Sequence, residues 1–220
     1  FFFSLRLKQT GENLQPGMIL KSALIIFCKA PVPGKVKTRL QQTLGPYQSA
    51  AIYRGLMRQV IDNALQAGYS SVQLWTDGNP FHSSFQLCRK DKRITMHQQP
   101  PGNLGQRMHI ALATALKTHS SAFLIGTDCP EINSNDLESA RRSLCNGTDV
   151  VLGPAVDGGY YLIGLRLHEP QLFQGISWGC NTVLEETLGK VDQCSLNSML
   201  LPARRDIDYP KDYFHFLKMK

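Results

Sequence analysis

Ala23-Leu24-Ile25-Ile26-Phe27-Cys28-Lys29-Ala30-Pro31-Val32-Pro33-Gly34-Lys35-Val36-Lys37-Thr38-Arg39-Leu40 reads as a strand running into a basic loop. Its first five side chains are all apolar, the signature of a parallel strand buried on both faces. Two prolines and a glycine then hold the chain out of regular structure. Lys29, Lys35, Lys37 and Arg39 fall within eleven residues of this loop. Open α/β sheets bind anionic nucleotides at the carboxyl end of such a strand, so the stretch predicts a phosphorylated ligand. A solvated basic turn is the plainer alternative. The strand–loop–helix setting favours the ligand.

Downstream, strand and helix patterns alternate, which argues for a layered α/β fold. Pro46–Ala67 carries Ile52, Leu56, Val60, Ile61 and Leu65 at helical spacing and stops at Gly68. Residues 71–76, 93–98, 122–126, 149–153, 160–165 and, more weakly, 195–201 read as strands. Residues 81–90, 105–117, 182–189, 209–219 and a segment capped by Asn133 or Ser134 and running to Asn146 read as helices. The strand over 160–165 follows another strand directly and breaks the alternation.

The 220 residues fit one α/β domain with its own core. Residues 1–21 read as an extension outside the fold, and 22–220 as a single domain. The net charge of +7 suits an anionic partner. No nucleic-acid recognition motif accompanies it, so a nucleotide or phosphosugar is expected rather than nucleic acid. No apolar run is long enough for a membrane span. The six cysteines show no C-x-x-C spacing. Cys28 and Cys129 read as reduced, buried or half-buried thiols of a cytoplasmic protein. Oligomeric state is not legible.

Carboxylates supply the second half of the picture. Asp128 stands just past the core-like strand 122–126, where an unpaired carboxylate is costly to bury. Magnesium or manganese bridging it to phosphates would compensate, since hard cations take one or two carboxylates plus phosphate oxygens. A turn or helix cap before Pro130 is the alternative. Asp206-Ile207-Asp208 places two carboxylates on one side of an extended segment, where both can approach one ion. A solvated turn with Arg204 and Arg205 as partners is an equal reading. Asp157-Gly158-Gly159-Tyr160-Tyr161 joins two strands. Its glycines permit close backbone approach, Asp157 can accept a hydroxyl proton, and the tyrosines can line a pocket. Asp-Gly is also a plain hairpin signal. Asn103-Leu104-Gly105-Gln106-Arg107 opens a helix, a weak anion-site motif by itself.

Taken in order, Lys29–Leu40, Leu104–Met108, Gly126-Thr-Asp-Cys-Pro130, Asp157–Tyr161 and Asp206–Asp208 resemble the bacterial glycosyltransferase-A-like family once catalogued as a domain of unknown function. Some of its members are labelled arsenosugar-biosynthesis glycosyltransferases. The resemblance runs from about Ser22 onward. It implies a nucleotide-diphospho-sugar transferase fold, a three-layer α/β/α sandwich around a mostly parallel mixed sheet. It also implies a metal-dependent glycosyltransferase-like enzyme that uses a nucleotide-sugar donor and a small-molecule acceptor. Lys29, Pro33, Gly34, Lys37, Arg39, Gly105 and Arg107 would contact the nucleotide. Asp128 and Asp208 would hold Mg2+ or Mn2+, and Asp157 with Gly158, Gly159 and Tyr160 would meet the acceptor, Asp157 and Asp128 being the catalytic pair. A related nucleotidyltransferase acting on a phosphorylated small molecule is the second reading, and a non-catalytic nucleotide-binding module the third. The central strand ends in a single aspartate rather than a D-x-D pair. The first loop lacks the G-G-x-G-x-R pattern of guanylyltransferases.

Overall fold

The structure is a computed structural model that describes residues 21–218. The expected extension over 1–21 therefore lies, apart from Lys21, outside the described residues. The elements are β1 (Ser22–Lys29), α1 (Thr38–Gln66), β2 (Ser71–Asp77), α2 (Gln86–Lys90), β3 (Ile94–Gln98), α3 (Leu104–Leu116), β4 (Ser121–Ile125), α4 (Ser134–Cys145), β5 (Val150–Pro154), β6 (Tyr160–Leu165), α5 (Val183–Gln193), β7 (Ser198–Leu200) and α6 (Pro210–Lys218). Short 3-10 turns cover Ser83–Phe85 and Pro170–Phe173.

The strands form one seven-stranded sheet in the order β3-β2-β1-β4-β6-β5-β7. All neighbours are parallel except β6, which runs antiparallel to both β4 and β5. β1 lies between β2 and β4, and Ala23 to Ile26 are fully buried. That is why its sequence shows no polar alternation.

Successive β1 residues serve opposite faces, as strand geometry requires. Leu24, Ile26 and Cys28 pack with α1 (Tyr53, Met57, Val60, Ile61) and α4 (Leu137, Ala140, Leu144). Ala23 and Ile25 pack with α3 (Met108, Ala111, Leu112, Ala115), with Leu172 and Phe173, and with Val191 of α5. The two cores sandwich the sheet into three layers. A smaller cluster of Leu40, Leu56 and Ile207, flanked by Tyr213 and Phe216, seats α6 on α1.

The first long helix begins at Thr38, eight residues before the expected Pro46. Gly45 (φ 74°, ψ 166°) kinks it, so a short helix ahead of Pro46 is joined to the expected one. Gly45-Pro46 is a strong stop-and-start signal that masked the continuity. The 3-10 turn at Pro170–Phe173 also had no periodic signal. α4 begins with a reciprocal box: Asn133 Oδ1 accepts from the Asp136 backbone N–H, and Asp136 accepts from that of Asn133.

The strand order fixes the position of the site. From β1 the chain steps to β2 and β3 on one side, then crosses to β4 on the other. The sheet therefore reverses between β1 and β4, and ligands of open α/β sheets bind outside the carboxyl ends of strands at such a point. Because β6 is antiparallel, its beginning, Asp157–Tyr160, reaches that same edge.

Candidate functional site

A cleft of about 680 Å³ opens over the carboxyl ends of β1 and β4. Its lining includes Lys29, Lys35, Lys37, Arg39, Arg107, Asp128, Asp206 and Asp208. A second hollow of about 550 Å³ adjoins it, lined among others by Asp157, Gly159, Trp178, Asn181 and Lys211. The two share Arg39, Leu104, Met108, Tyr160, Asp206 and Asp208. Motifs far apart in sequence thus border one continuous space.

Backbone bonds set the carboxylates. The Ile207 N–H donates to the Asp128 carbonyl at 2.9 Å, tying the C-terminal segment to the loop after β4. Ile207 turns into the α1–α6 cluster at 1% exposure. Asp206 and Asp208, its neighbours, both face the cleft, as the extended pattern predicts. Asp212 caps α6 by accepting from the N–H groups of Tyr209 (2.8 Å) and Asp208 (3.3 Å), which fixes the direction of this segment. Arg204 secures it from the other side with Nη2 at 2.9 and 3.1 Å from the two oxygens of buried Asp136.

The basic loop is divided in its roles. Lys37 takes a left-handed backbone (φ 48°, ψ 46°) that turns its side chain inward to 5% exposure. Its Nζ donates to the Ile207 carbonyl at 2.5 Å and lies 2.7 Å from Asp128 Oδ1 and 3.3 Å from Asp208 Oδ1. Arg39 pairs with the other Asp208 oxygen at 3.0 Å and lies over the Tyr209 ring. Lys29 reaches Asp77 at 3.3 Å, its partner in the β1–β2 register. Lys35 is exposed, lines the cleft and forms no ion pair among the described residues.

Arg107, in the first turn of α3, lies 4.0 Å from Asp77, donates to Gln99 Oε1 at 3.2 Å, and keeps a buried Nε without a protein partner. Tyr53 was not legible as a site residue. Its hydroxyl accepts from the Lys29 N–H and from Thr127 Oγ1, joining the ends of β1 and β4. Burial pushes the Cys28 thiol up to about 12, with Cys88 adding to it, and burial raises Cys129 likewise. Both line the cleft as inert neutral thiols.

Asp206 is the most perturbed carboxyl group at the site. Burial, and then the charges of Asp128, Asp157 and Asp208, push it up to about 7 against the opposing pull of Lys37. One of its oxygens is buried without a protein partner.

Asp157 is exposed at the rim, and its Oδ1 accepts from the Gly159 N–H at 3.0 Å. The Asp-Gly turn signal holds, and the turn sets Asp157 beside the second hollow. Gly158 (φ 92°) lies so close to the Asn181 carbonyl that a Cβ would stand 2.0 Å from it. The turn is thereby locked onto the start of α5, whose Leu184 N–H donates to the Gly158 carbonyl. Tyr160 meets Trp178 edge-to-face at 6.4 Å. Pro33, Gly34, Gly105 and Gly158 do not border the cleft. Gly34 (φ 86°) shapes the loop that presents Lys35, and Gly105 makes room for Trp178, whose indole a Cβ would meet at 2.5 Å. The 174–181 segment, with Trp178 and Asn181, had no distinguishing motif.

Residues 60–180 match the family described as an uncharacterized protein conserved in bacteria, DUF2064. The chain belongs to this family. A solved structure from Desulfovibrio desulfuricans G20, provisionally named a nucleotide-diphospho-sugar transferase, is similar to this DUF2064 chain. The two are 28% identical with a TM-score of 0.83, and the match covers 90% of this chain and 87% of that one. Two more distant structures share the fold. Glucosyl-3-phosphoglycerate synthase of Mycobacterium tuberculosis, in complex with Mn2+, UDP and glucosyl-3-phosphoglycerate, is 10% identical with a TM-score of 0.54 over 89% of this chain and 75% of that one. CMP:2-keto-3-deoxy-manno-octonic acid synthetase, complexed with CTP, is 11% identical with a TM-score of 0.59 over 90% and 98%. No curated protein matches the chain. The DUF2064 chain therefore has the nucleotide-diphospho-sugar transferase fold that its sequence resembles.

Among the described residues no group of three or more His, Cys, Asp or Glu side chains is arranged to hold a metal ion. Asp128 and Asp208 offer the hard oxygen donors that magnesium and manganese prefer. One oxygen of each is paired with Lys37 Nζ, so an ion held by this two-carboxylate set would have to displace the ammonium. No helix among the described residues is long and apolar enough to cross a membrane.

Proposed function

We propose that this protein is a glycosyltransferase-like enzyme that binds a nucleotide-sugar donor in the cleft over β1 and β4. One observation carries the reading: a basic rim and a carboxylate cluster face each other across the point where the sheet order reverses. Lys29, Lys35, Arg39 and Arg107 neutralise the diphosphate. The Arg107 Nε that lacks a protein partner supplies a fixed donor. Asp128 and Asp208 hold Mg2+ or Mn2+, which stabilises charge on a leaving nucleoside diphosphate. Asp206, pushed up to about 7, is about half protonated at neutral pH, which limits the negative charge crowded beside the phosphates.

The adjoining hollow receives the acceptor. Asp157 stands at its rim with Gly159 and Tyr160. Its Oδ1 is taken by the Gly159 N–H, so Oδ2 is the atom that accepts the acceptor hydroxyl proton. Tyr160 and Trp178 form an aromatic wall against which a sugar ring can rest.

The test is a thermal-shift panel of nucleoside mono-, di- and triphosphates and sugar nucleotides with Mn2+, Mg2+ or chelator. A ligand that binds only the folded state raises the melting temperature by mass action. Metal-dependent stabilisation by a diphosphate or sugar nucleotide, abolished in Asp128→Ala, is the expected result. Pyrophosphate release from a triphosphate would establish nucleotidyl transfer instead. No shift with any nucleotide would overturn both.

A further inference from the structure

The Lys37 ammonium donates hydrogen bonds to the Ile207 carbonyl and to Asp208 Oδ1, and forms an ion pair at 2.7 Å with Asp128 Oδ1, a buried oxygen with no hydrogen-bond partner among the described residues. The side chain is almost fully enclosed, so these oxygens replace the water it has lost. The left-handed backbone at a non-glycine residue is itself unfavourable, and it serves to point Lys37 inward. Lys35 on the same loop and Arg39 in the first turn of α1 remain exposed. Four cations that look equivalent in sequence thus divide into three that face ligand space and one held between the carboxylates.

We propose that Lys37 is the resident counter-ion of the Asp128–Asp208 pair, and that it excludes a divalent cation until a phosphate ligand draws the ammonium away. The inference rests on the transferase reading for the identity of the later phosphate, but not for the competition itself. A dication beside an ammonium at these separations meets strong repulsion. Without the ammonium, Asp128 loses its cation and Asp208 keeps only the exposed Arg39, so the pair carries more uncompensated negative charge and favours the metal. Lys37 is then a positioning residue: it pre-aligns both aspartates in the free protein and couples metal loading to phosphate binding. Such coupling is reciprocal, so metal also tightens the hold on phosphate.

The experiment uses Mn2+ alone, followed by loss of its free-ion electron paramagnetic resonance signal, on the full chain without nucleotide. Lys37→Gly removes the ammonium and suits the left-handed backbone. Lys37→Asn, which also tolerates that conformation, is the second variant, and circular dichroism verifies folding of each. The expected result is Mn2+ affinity at least tenfold higher in Lys37→Gly than in the wild type, with the gain erased by adding Asp128→Asn. Equal or tighter binding by the wild type, or a gain that survives Asp128→Asn, overturns the proposal. The wild type alone is also decisive: saturation by micromolar Mn2+ without phosphate refutes it, whatever the variants do. Failure of every nucleotide to bind would sink the transferase reading and leave this comparison standing.

Discussion

Replacing Asp206 by asparagine should stabilise the metal-free protein more at pH 8 than at pH 5. Asp206 titrates near pH 7 in the folded state because burial, and then Asp128, Asp157 and Asp208, disfavour its charge. In the unfolded chain it returns to the ordinary value of 3.8. The folded state therefore binds one proton more than the unfolded state between these values. Stability falls as pH rises through that window and levels off above it. Each tenfold change in proton affinity corresponds to about 1.4 kcal/mol, so the full term reaches about 4 kcal/mol. Asparagine is nearly isosteric with the protonated acid and never ionises. The assay is urea denaturation of wild type and Asp206→Asn in chelator, at half-unit steps from pH 5 to pH 8. The difference between the two curves isolates this one group from all others that titrate. It should already favour the variant by about 1.6 kcal/mol at pH 5 and grow toward about 4 kcal/mol by pH 8. A difference constant to within about 0.5 kcal/mol would refute the burial-and-repulsion account of Asp206.

Two further outcomes are expected. Lys35→Ala should weaken binding of a nucleoside diphosphate about tenfold, the scale of one charge-assisted phosphate contact. Because Lys35 is exposed and forms no ion pair among the described residues, the unliganded melting temperature should not change, and thermal shift with and without ligand reads both. Arg204→Ala strands the buried Asp136 carboxylate and should cost about 3 kcal/mol in urea denaturation; a loss under about 1 kcal/mol would show that water replaces the guanidinium.

Much of the layered fold was legible because the signals are local. β1 shows an unbroken apolar run, since neighbouring strands and both helical layers cover it. Asp206-Ile207-Asp208 showed its geometry through the strand period, and Ile207 in the core with both carboxylates on the cleft is that period made visible. Thr38–Leu44 stayed hidden because Gly45-Pro46 carries a genuine break in dihedral angles, yet the chain resumes helix on its far side. Gly105 illustrates a different limit. It looked like a helix-start glycine for an anion, but its missing Cβ makes room for Trp178, 73 residues along the chain.

By itself the sequence determined the strand–loop–helix opening, the alternation of layers, the basic loop and the positions of the acidic residues. These depend on side-chain period and on backbone constraints that act over a few residues. Only the tertiary structure decided which charge meets which. Lys29, Lys35, Lys37 and Arg39 are interchangeable as a local cluster. Asp77, Asp128 and Asp208 separate them into a rim pair, an exposed cation with no ion-pair partner among the described residues, a buried counter-ion and a clamp. The energy of a charge depends on its burial and on its nearest opposite charge. For Lys37 that neighbourhood is assembled from segments 91 and 171 residues away, which no local pattern can encode.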